Sequence, residues 1–366
     1  MKICIVCGAR PNFIKVAPLV KAVERARSHG RDIDYSLVYA GNVNDTTIED
    51  SLFASLGIRR PDIYLEAESN SLNVLANNVM QKFDEYLDEY PTDVVVVVDD
   101  LTSTMSAAIT AKKKGIRLAH LVAGTRSFDI NMPKEINRLV IDGLSDLLFT
   151  AGANSDSNIN REGADLSKTY MVGNILIDTL CANHDKFHKP EIFDRLGLEE
   201  KKYIVFTLNR KVLINDKEGL LKMISSLCKA SESMPVVAPL RNLAKEAVES
   251  VLQSSYSKFH IVDPIDYLGF GWLTEHACGV VTDSGNVAEE ATFNGVPCIT
   301  LNDYTEHIET VMTGTNVLVG GDIDSLNEHL SLMVNGQWKE GSLPERWDGR
   351  SADRIVHILL EMAEKA

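Results

Sequence analysis

One stretch of the sequence, Val280-Val281-Thr282-Asp283-Ser284-Gly285-Asn286-Val287-Ala288-Glu289-Glu290-Ala291, has the residue types of an anion site. It opens as a short apolar strand, turns through small residues and enters a helix. The N–H groups of a first helical turn lack intrahelical partners and carry the positive end of the helix dipole. Gly285 lets a phosphate approach that turn closely, and the Ser284 hydroxyl adds a donor. Glu290 follows within two turns, where a carboxylate can accept both hydroxyls of a ribose. Diphosphate at the tip with ribose just inside is one expectation; an ordinary capping serine on a strand–turn–helix is the other.

A second set combines cations with carboxylates. Arg10 lies in the turn Gly8-Ala9-Arg10-Pro11-Asn12, and Lys15 follows it into a helix. Asp99 and Asp100 end the run Val94–Val98. Arg126, Lys134 and Arg138 come after Val122, and Asn209 and Arg210 come after Leu208. Arginine and lysine suit a developing negative charge, and a carboxylate or desolvated lysine suits proton transfer. The nine histidines show no metal-ligand spacing, so neither a metal nor a cofactor is expected.

These residues are positioned by a repeating pattern. Strands are expected at Lys2–Cys7, Tyr35–Ala40, Val94–Val98, Arg117–Val122 and Leu147–Thr150, with helices over 13–27, 71–89 and 102–114 and another opening at 131–138. The all-β-branched run Val94–Val98 asks for burial on both faces, as in a parallel sheet. The alternation resumes with strands at 202–208, 236–238, 260–262 and 296–301 and helices over 216–230, 243–253 and 267–276. This is an α/β pattern, and open α/β sheets bind ligands outside the carboxyl ends of their strands. Arg10, Asp99, Asp100, Arg126, Lys134 and Arg138 all fall at or just after such ends. With 366 residues, two domains are expected: 1–171 and 172–349, each Rossmann-like, facing across a cleft suited to a nucleotide sugar, and followed by an amphipathic helix over 350–366. The stretch 160–190 reads as polar and irregular.

Lys and Arg number 37 against 52 Asp and Glu, a net charge of −15, which argues against nucleic acid as a partner. The six cysteines (Cys4, Cys7, Cys181, Cys228, Cys278 and Cys298) read as free thiols, mostly buried; Cys4-x-x-Cys7 lies in a strand and lacks a second pair. A reducing cytoplasm fits. With no charged leader before an apolar stretch and no apolar run near 18 residues, a soluble protein without membrane contact is expected.

Taken together, Ser127-Phe128-Asp129-Ile130-Asn131-Met132-Pro133-Lys134-Glu135-Ile136-Asn137-Arg138, Gly173-Asn174, Asp283-Ser284-Gly285 through Glu290-Ala291, and Asn335-Gly336-Gln337-Trp338 to Trp347-Asp348-Gly349 resemble the non-hydrolysing UDP-N-acetylglucosamine 2-epimerases over essentially the whole chain. The resemblance implies the glycosyltransferase-B architecture and a homodimer formed through first-domain helices. It implies an isomerase of polysaccharide biosynthesis that interconverts UDP-GlcNAc and UDP-ManNAc, or a related UDP-sugar, by UDP elimination and re-addition. Glu290 would hold the ribose, Ser284 and Gly285 the diphosphate, and the segment near Phe270 the uracil. Arg10 and Lys15 would oppose the leaving UDP. Helix 350–366 would cross back to the first domain.

The sequence departs from the family at several groups that the reaction uses. The family's Gly-Thr-Arg-Pro-Glu is Gly8-Ala9-Arg10-Pro11-Asn12, and its Gly-Asp-Thr is Asp99-Asp100-Leu101, which keeps the Asp100 carboxylate. Val122 stands for a glutamate, Lys134 for another, and Asn209 for a histidine. Glu135 neighbours Lys134, but one helical step turns a side chain by roughly 100°, so it is expected to face elsewhere. Asp100, Lys134 and Arg10 then remain as the catalytic candidates, with Arg126 as an anion partner beside Asn209 and Arg210. Val43 and Leu240 occupy the positions of a second, regulatory UDP-sugar site, which is expected to be absent. Three readings stay open: an epimerase-family enzyme with weak or altered chemistry, a catalytically inactive sugar-nucleotide binder, and a glycosyltransferase on the same fold.

Overall fold

The computed structural model describes residues 1–252 and 256–364. The chain forms two compact units, Met1–Asn183 with Glu345–Ala366, and His184–Pro344. The sequence pattern puts the change at 171/172; the backbone stays with the first unit through one further helix.

In the first unit the elements run β1 (Lys2–Cys7), α1 (Arg10–Ser28), β2 (Asp34–Tyr39), α2 (Asp50–Leu56), β3 (Ile63–Tyr64), α3 (Leu72–Glu89), β4 (Val94–Val98), α4 (Thr102–Lys113), β5 (Arg117–Ala123), α5 (Pro133–Leu144), β6 (Leu147–Thr150), α6 (Ala153–Arg161), β7 (Thr169–Met171) and α7 (Ile175–Asn183). The seven strands make one parallel sheet in the order β3-β2-β1-β4-β5-β6-β7. Each crossover helix hides one face of it, which is why β4 can be five consecutive buried valines. Cys4 and Val6 of β1 pack with Val95 and Val97 of β4 beneath α3 and α4. All six cysteines are free thiols, and burial pushes Cys4 up to about 12.

The second unit contains α8 (Glu191–Arg195), β8 (Ile204–Phe206), α9 (Lys211–Asn215), α10 (Lys217–Ser233), β9 (Val236–Pro239), α11 (Asn242–Val251), β10 (Phe259–Val262), α12 (Tyr267–Glu275), β11 (Gly279–Thr282), α13 (Gly285–Phe293), β12 (Cys298–Thr300), α14 (Glu309–Met312), β13 (Asn316–Leu318) and α15 (Ile323–Val334). Its parallel sheet has the order β10-β9-β8-β11-β12-β13. Successive side chains of a strand point to opposite faces, and here both faces are covered. Ile204 and Phe206 join one core while Tyr203 and Val205 join the other. The expected helix end at Gln253 lies outside the described residues.

The fold class is thus α/β with two Rossmann-like units, as the sequence pattern requires. The stretch 160–190 is more regular than its composition indicates, since it contains β7 and α7. No helix of the described residues is long and apolar enough to cross a membrane. Among the described residues no group of three His, Cys, Asp or Glu side chains is placed to hold a metal ion.

The last helix, α16 (Ser351–Glu364), belongs to the first unit and packs on α1 and α7; residues 365–366 lie outside the described residues. Its first turn is tied down by a remote side chain. The Asp178 carboxylate of α7 accepts from Ser351 N at 3.1 Å and Ala352 N at 2.7 Å. Burial pushes this carboxyl up while the two N–H donors pull it down, and burial prevails. Nearby, Gly173 takes a left-handed φ of +102°, and a side chain there would run into the Arg346 carbonyl. Asp178→Ala should orphan two N–H groups of the first turn and cost about 1–3 kcal/mol. A lowered thermal midpoint with faster amide exchange at the start of α16 is expected; an unchanged midpoint and exchange pattern would remove this role.

Candidate functional site

In each sheet the strand order reverses once. Crossovers depart to opposite faces there, which leaves a crevice at the carboxyl ends of two neighbouring strands. In the first unit these strands are β1 and β4, and in the second they are β8 and β11. Most of the predicted residues gather at these two points, while Arg126, after β5, and Phe270, on α12, lie apart.

At the first point, Arg10 opens α1 and is half-buried, with Pro11 in the first turn. Asn12 Oδ1 accepts from Gly8 N at 2.8 Å and Ala9 N at 3.2 Å, which closes the turn after β1. Asp99, at the end of β4, takes φ +56°, a left-handed conformation that Asp tolerates better than most residues. Its carboxylate receives Asn12 Nδ2 at 2.8 Å and Lys15 Nζ at 2.7 Å. Lys15 is therefore buried against a carboxylate of its own chain.

Asp100 points to the other side of the strand end. Arg138 donates to its Oδ2 from Nε at 2.9 Å and Nη2 at 2.5 Å, and Lys134 Nζ lies 3.1 Å from Oδ1. Burial pushes the Asp100 carboxyl up, but Lys134 and Arg138 outweigh it and hold the group below its ordinary range. Asn137 Nδ2 ties the Asp100 carbonyl to α5 at 2.8 Å.

Glu135 turns inward beneath the loop 127–128 while Lys134 is more than half exposed, yet the two are linked through Arg138 and Asp100. The Glu135 carboxylate is buried and accepts from Ser127 N at 2.9 Å, Phe128 N at 3.1 Å and Arg138 Nη1 at 2.9 Å. Arg138 thus bridges Glu135 and Asp100. The helical rotation between residues 134 and 135 is real, but the loop 127–128 folds over the start of α5 to meet Glu135, while Lys134 reaches Asp100 with its long stem.

Arg126 is 1% exposed along its side chain and turns inward. It binds Glu162 through Nε at 2.7 Å and Nη2 at 2.5 Å, the Thr125 carbonyl at 2.7 Å, and Asp142 Oδ2 at 2.7 Å. Asp142 also receives Gly124 N at 3.1 Å and lies 2.5 Å from His120 Nδ1; His120 Nε2 meets the Asp99 carbonyl at 2.9 Å. Burial raises the Asp142 carboxyl, yet His120 and Arg126 bring it below its ordinary range. Beside this cluster Val122 sits at φ +70°, where the register of β5 against β6 shifts between Leu121 and Ala123. A β-branched residue there is strained backbone.

At the second point, Asp283 Oδ2 accepts from Asn209 N at 2.7 Å and Arg210 N at 2.6 Å. The loop after β8 is thereby fastened to the end of β11. Asn209 is exposed, and the Arg210 guanidinium donates to Tyr304 OH at 2.8 Å while lying over that ring. Ser284 precedes α13 in an extended conformation, and its side chain makes no cap bond to the helix. The Glu306 carboxylate lies beside Gly285. Glu290 is buried, and burial with the neighbouring Glu289 carboxylate pushes it up to about 8; Glu289 Oε1 is 3.5 Å from His307 Nε2. Phe270, on α12, is half-buried against the core of this unit.

Sequence reasoning missed Asn12, His120, Asp142, Glu162, Tyr304 and the fastening role of Asp283. One signal was present: residues 135, 138 and 142 recur at helical spacing, so three charged groups share a face of α5 that the fold buries.

A sequence model of the family described as UDP-N-acetylglucosamine 2-epimerase matches residues 25–360. The "UDP-N-acetylglucosamine 2-epimerase homolog" of Methanococcus maripaludis is 34% identical, over 98% of this chain and 99% of that protein. The UDP-2,3-diacetamido-2,3-dideoxy-D-glucuronate 2-epimerase of Pseudomonas aeruginosa is 31% identical, over 99% of this chain and 100% of its own. Among solved structures, Methanocaldococcus jannaschii UDP-GlcNAc 2-epimerase in complex with UDP-GlcNAc and UDP superposes with a TM-score of 0.85 at 31% identity, covering 98% of this chain and 99% of that one. With a family match spanning most of its length and relatives matched nearly end to end, the chain belongs to the UDP-N-acetylglucosamine 2-epimerase family.

Proposed function

We propose that this protein binds UDP-GlcNAc or a closely related UDP-sugar and inverts it at C2 with a rearranged acid–base pair. The observation that carries this reading is the Asp100 carboxylate 3.1 Å from Lys134 Nζ. An ionised carboxylate and an ammonium side by side supply one proton acceptor and one donor. In the reaction the C2 proton passes to the base while the C1–O bond breaks. Its electron pair leaves with UDP and a glycal forms. A water on the opposite face protonates C2, its hydroxide takes up the proton held by the Asp100–Lys134 pair, and return of the UDP oxygen to C1 completes the inversion. Arg10 and Lys15 face the leaving diphosphate. Arg126 serves indirectly, by holding the 124–127 backbone through Asp142 and Glu162.

The second unit, taken by itself, has the features of a nucleotide site. The Ser284 hydroxyl and the N–H groups from Gly285 onward receive the diphosphate. Glu290 takes the ribose hydroxyls, the Phe270 segment takes the uracil, and Asn209 and Arg210 complete this end. Six free thiols suit a cytoplasmic enzyme of polysaccharide biosynthesis, working as a homodimer.

A second reading is favoured by Val122, which puts an apolar, strained residue where the resemblance expects a glutamate. Removing one general acid or base costs roughly 10²–10⁴-fold, so turnover is slow, and at the limit the protein is a sugar-nucleotide binder.

Proton NMR of UDP-GlcNAc with the protein in D₂O separates the readings. Slow deuterium entry at C2 is expected, abolished in Asp100→Asn and reduced roughly 10²-fold or more in Lys134→Ala. Broadened uridine signals without any deuterium entry would leave the binder reading. Glu290 gives a pH test. Its folded-state value is raised from 4.5 to about 8, so its contribution to stability is fully present below pH 4.5 and is lost as pH rises through about 8. Glu290→Gln should therefore gain thermal stability on the parent as pH rises from 4.5 to about 8, with the gain level above that, while binding UDP more weakly. A pH-independent difference in midpoint would contradict the buried, protonated carboxyl.

A further inference from the structure

We propose that Asp99 is an internal counter-anion that sets how tightly the first unit holds a diphosphate. This rests on the reading that Lys15 faces that group. Of the charged residues placed at the crevice between β1 and β4, four are cations (Arg10, Lys15, Lys134 and Arg138) and three are carboxylates (Asp99, Asp100 and Glu135). Asp100 and Glu135 share Arg138, and Asp100 also takes Lys134. Asp99 reaches to the α1 side, to Asn12 and Lys15.

Its geometry there is fixed rather than incidental. The Lys15 Nζ to Asp99 Oδ1 distance is 2.7 Å, with side-chain exposures of 8% and 15%. Solvent screens such a pair weakly. Asn12 holds the second carboxylate oxygen at 2.8 Å, so the carboxylate is aimed at Lys15 from a backbone at φ +56°. An incoming diphosphate competes with this carboxylate for the lysine. A fixed negative charge within a few ångströms also repels it through a low-dielectric wall. The charge of Lys15 is thus largely neutralised within its own chain, and the result is weaker capture of the leaving group and easier release of it.

Two substitutions test this, each chosen to keep the left-handed conformation at residue 99. Asp99→Asn keeps the shape and tolerates the left-handed conformation, and Asp99→Gly adopts it freely. Calorimetric titration with inorganic pyrophosphate should show a roughly tenfold gain in affinity in both. Adding Lys15→Ala should cancel the gain, and raising salt should shrink it. Affinity unchanged or lowered in both variants, or a gain that survives without Lys15, would overturn the proposal. Titration with UDP separates the levels of the reading. UDP bound equally by the parent and by both Asp99 variants would sink the counter-anion alone. UDP bound by none of them would sink the nucleotide reading, and this proposal with it.

Discussion

A parallel sheet whose crossovers leave to both faces must open at the strand pair where the direction changes, and each half of this protein closes that opening with an aspartate. Asp99 reaches from the end of β4 to Asn12 and Lys15 after β1. Asp283 reaches from the end of β11 to the N–H groups of Asn209 and Arg210 after β8. The donors differ: Asp283 satisfies two backbone N–H groups beyond a strand end, whereas Asp99 takes two side chains of α1. The chemistry-bearing residues are their neighbours in sequence. Asp100 follows Asp99, and Ser284 follows Asp283, so each lies one residue beyond its fastening.

Behind the first fastening lies a second layer of buried charge. Asp142 collects His120, Arg126 and the N–H of Gly124, and Glu162 completes the arginine. Burying so many charges is unfavourable, and removing one partner from such a group typically costs about 3–5 kcal/mol because the others stay desolvated. What the cluster secures is local shape. It holds the left-handed turn at Gly124 and keeps Val122 in a conformation that a β-branched residue would leave if it were free. The loop over Glu135 rests on the same frame, since Ser127 follows Arg126 directly.

The fold was legible where burial writes itself into composition. Five consecutive valines can only be an inner parallel strand, and Asp99 and Asp100 had to sit at its end. It was illegible over α7. Ile175, Leu176, Ile177 and Leu180 are all buried, so the helix is apolar on most sides and shows no 3.6-residue period. In the second unit the positions of Ser284, Gly285 and Glu290 could be read, because strand, turn and helix are contiguous there. In the first unit the residue types could be read but their directions could not. Whether Arg126 faces solvent or Asp142, and whether Glu135 joins Arg138, depends on contacts between segments far apart in sequence, which no local spacing encodes.

The seat of the last helix has a consequence for the order of synthesis. The first unit is discontinuous: α16 packs on α1 and receives its cap from Asp178, yet the whole of 184–344 is made before it. On a ribosome the early strands can pair and α7 can cover part of α1, but the rest of the apolar face of α1 stays wet until α16 emerges. The second unit waits for no later residues and can complete its own core first. The half of the chain that is translated earliest is therefore the last to be finished, and until then a chaperone would find its exposed face there.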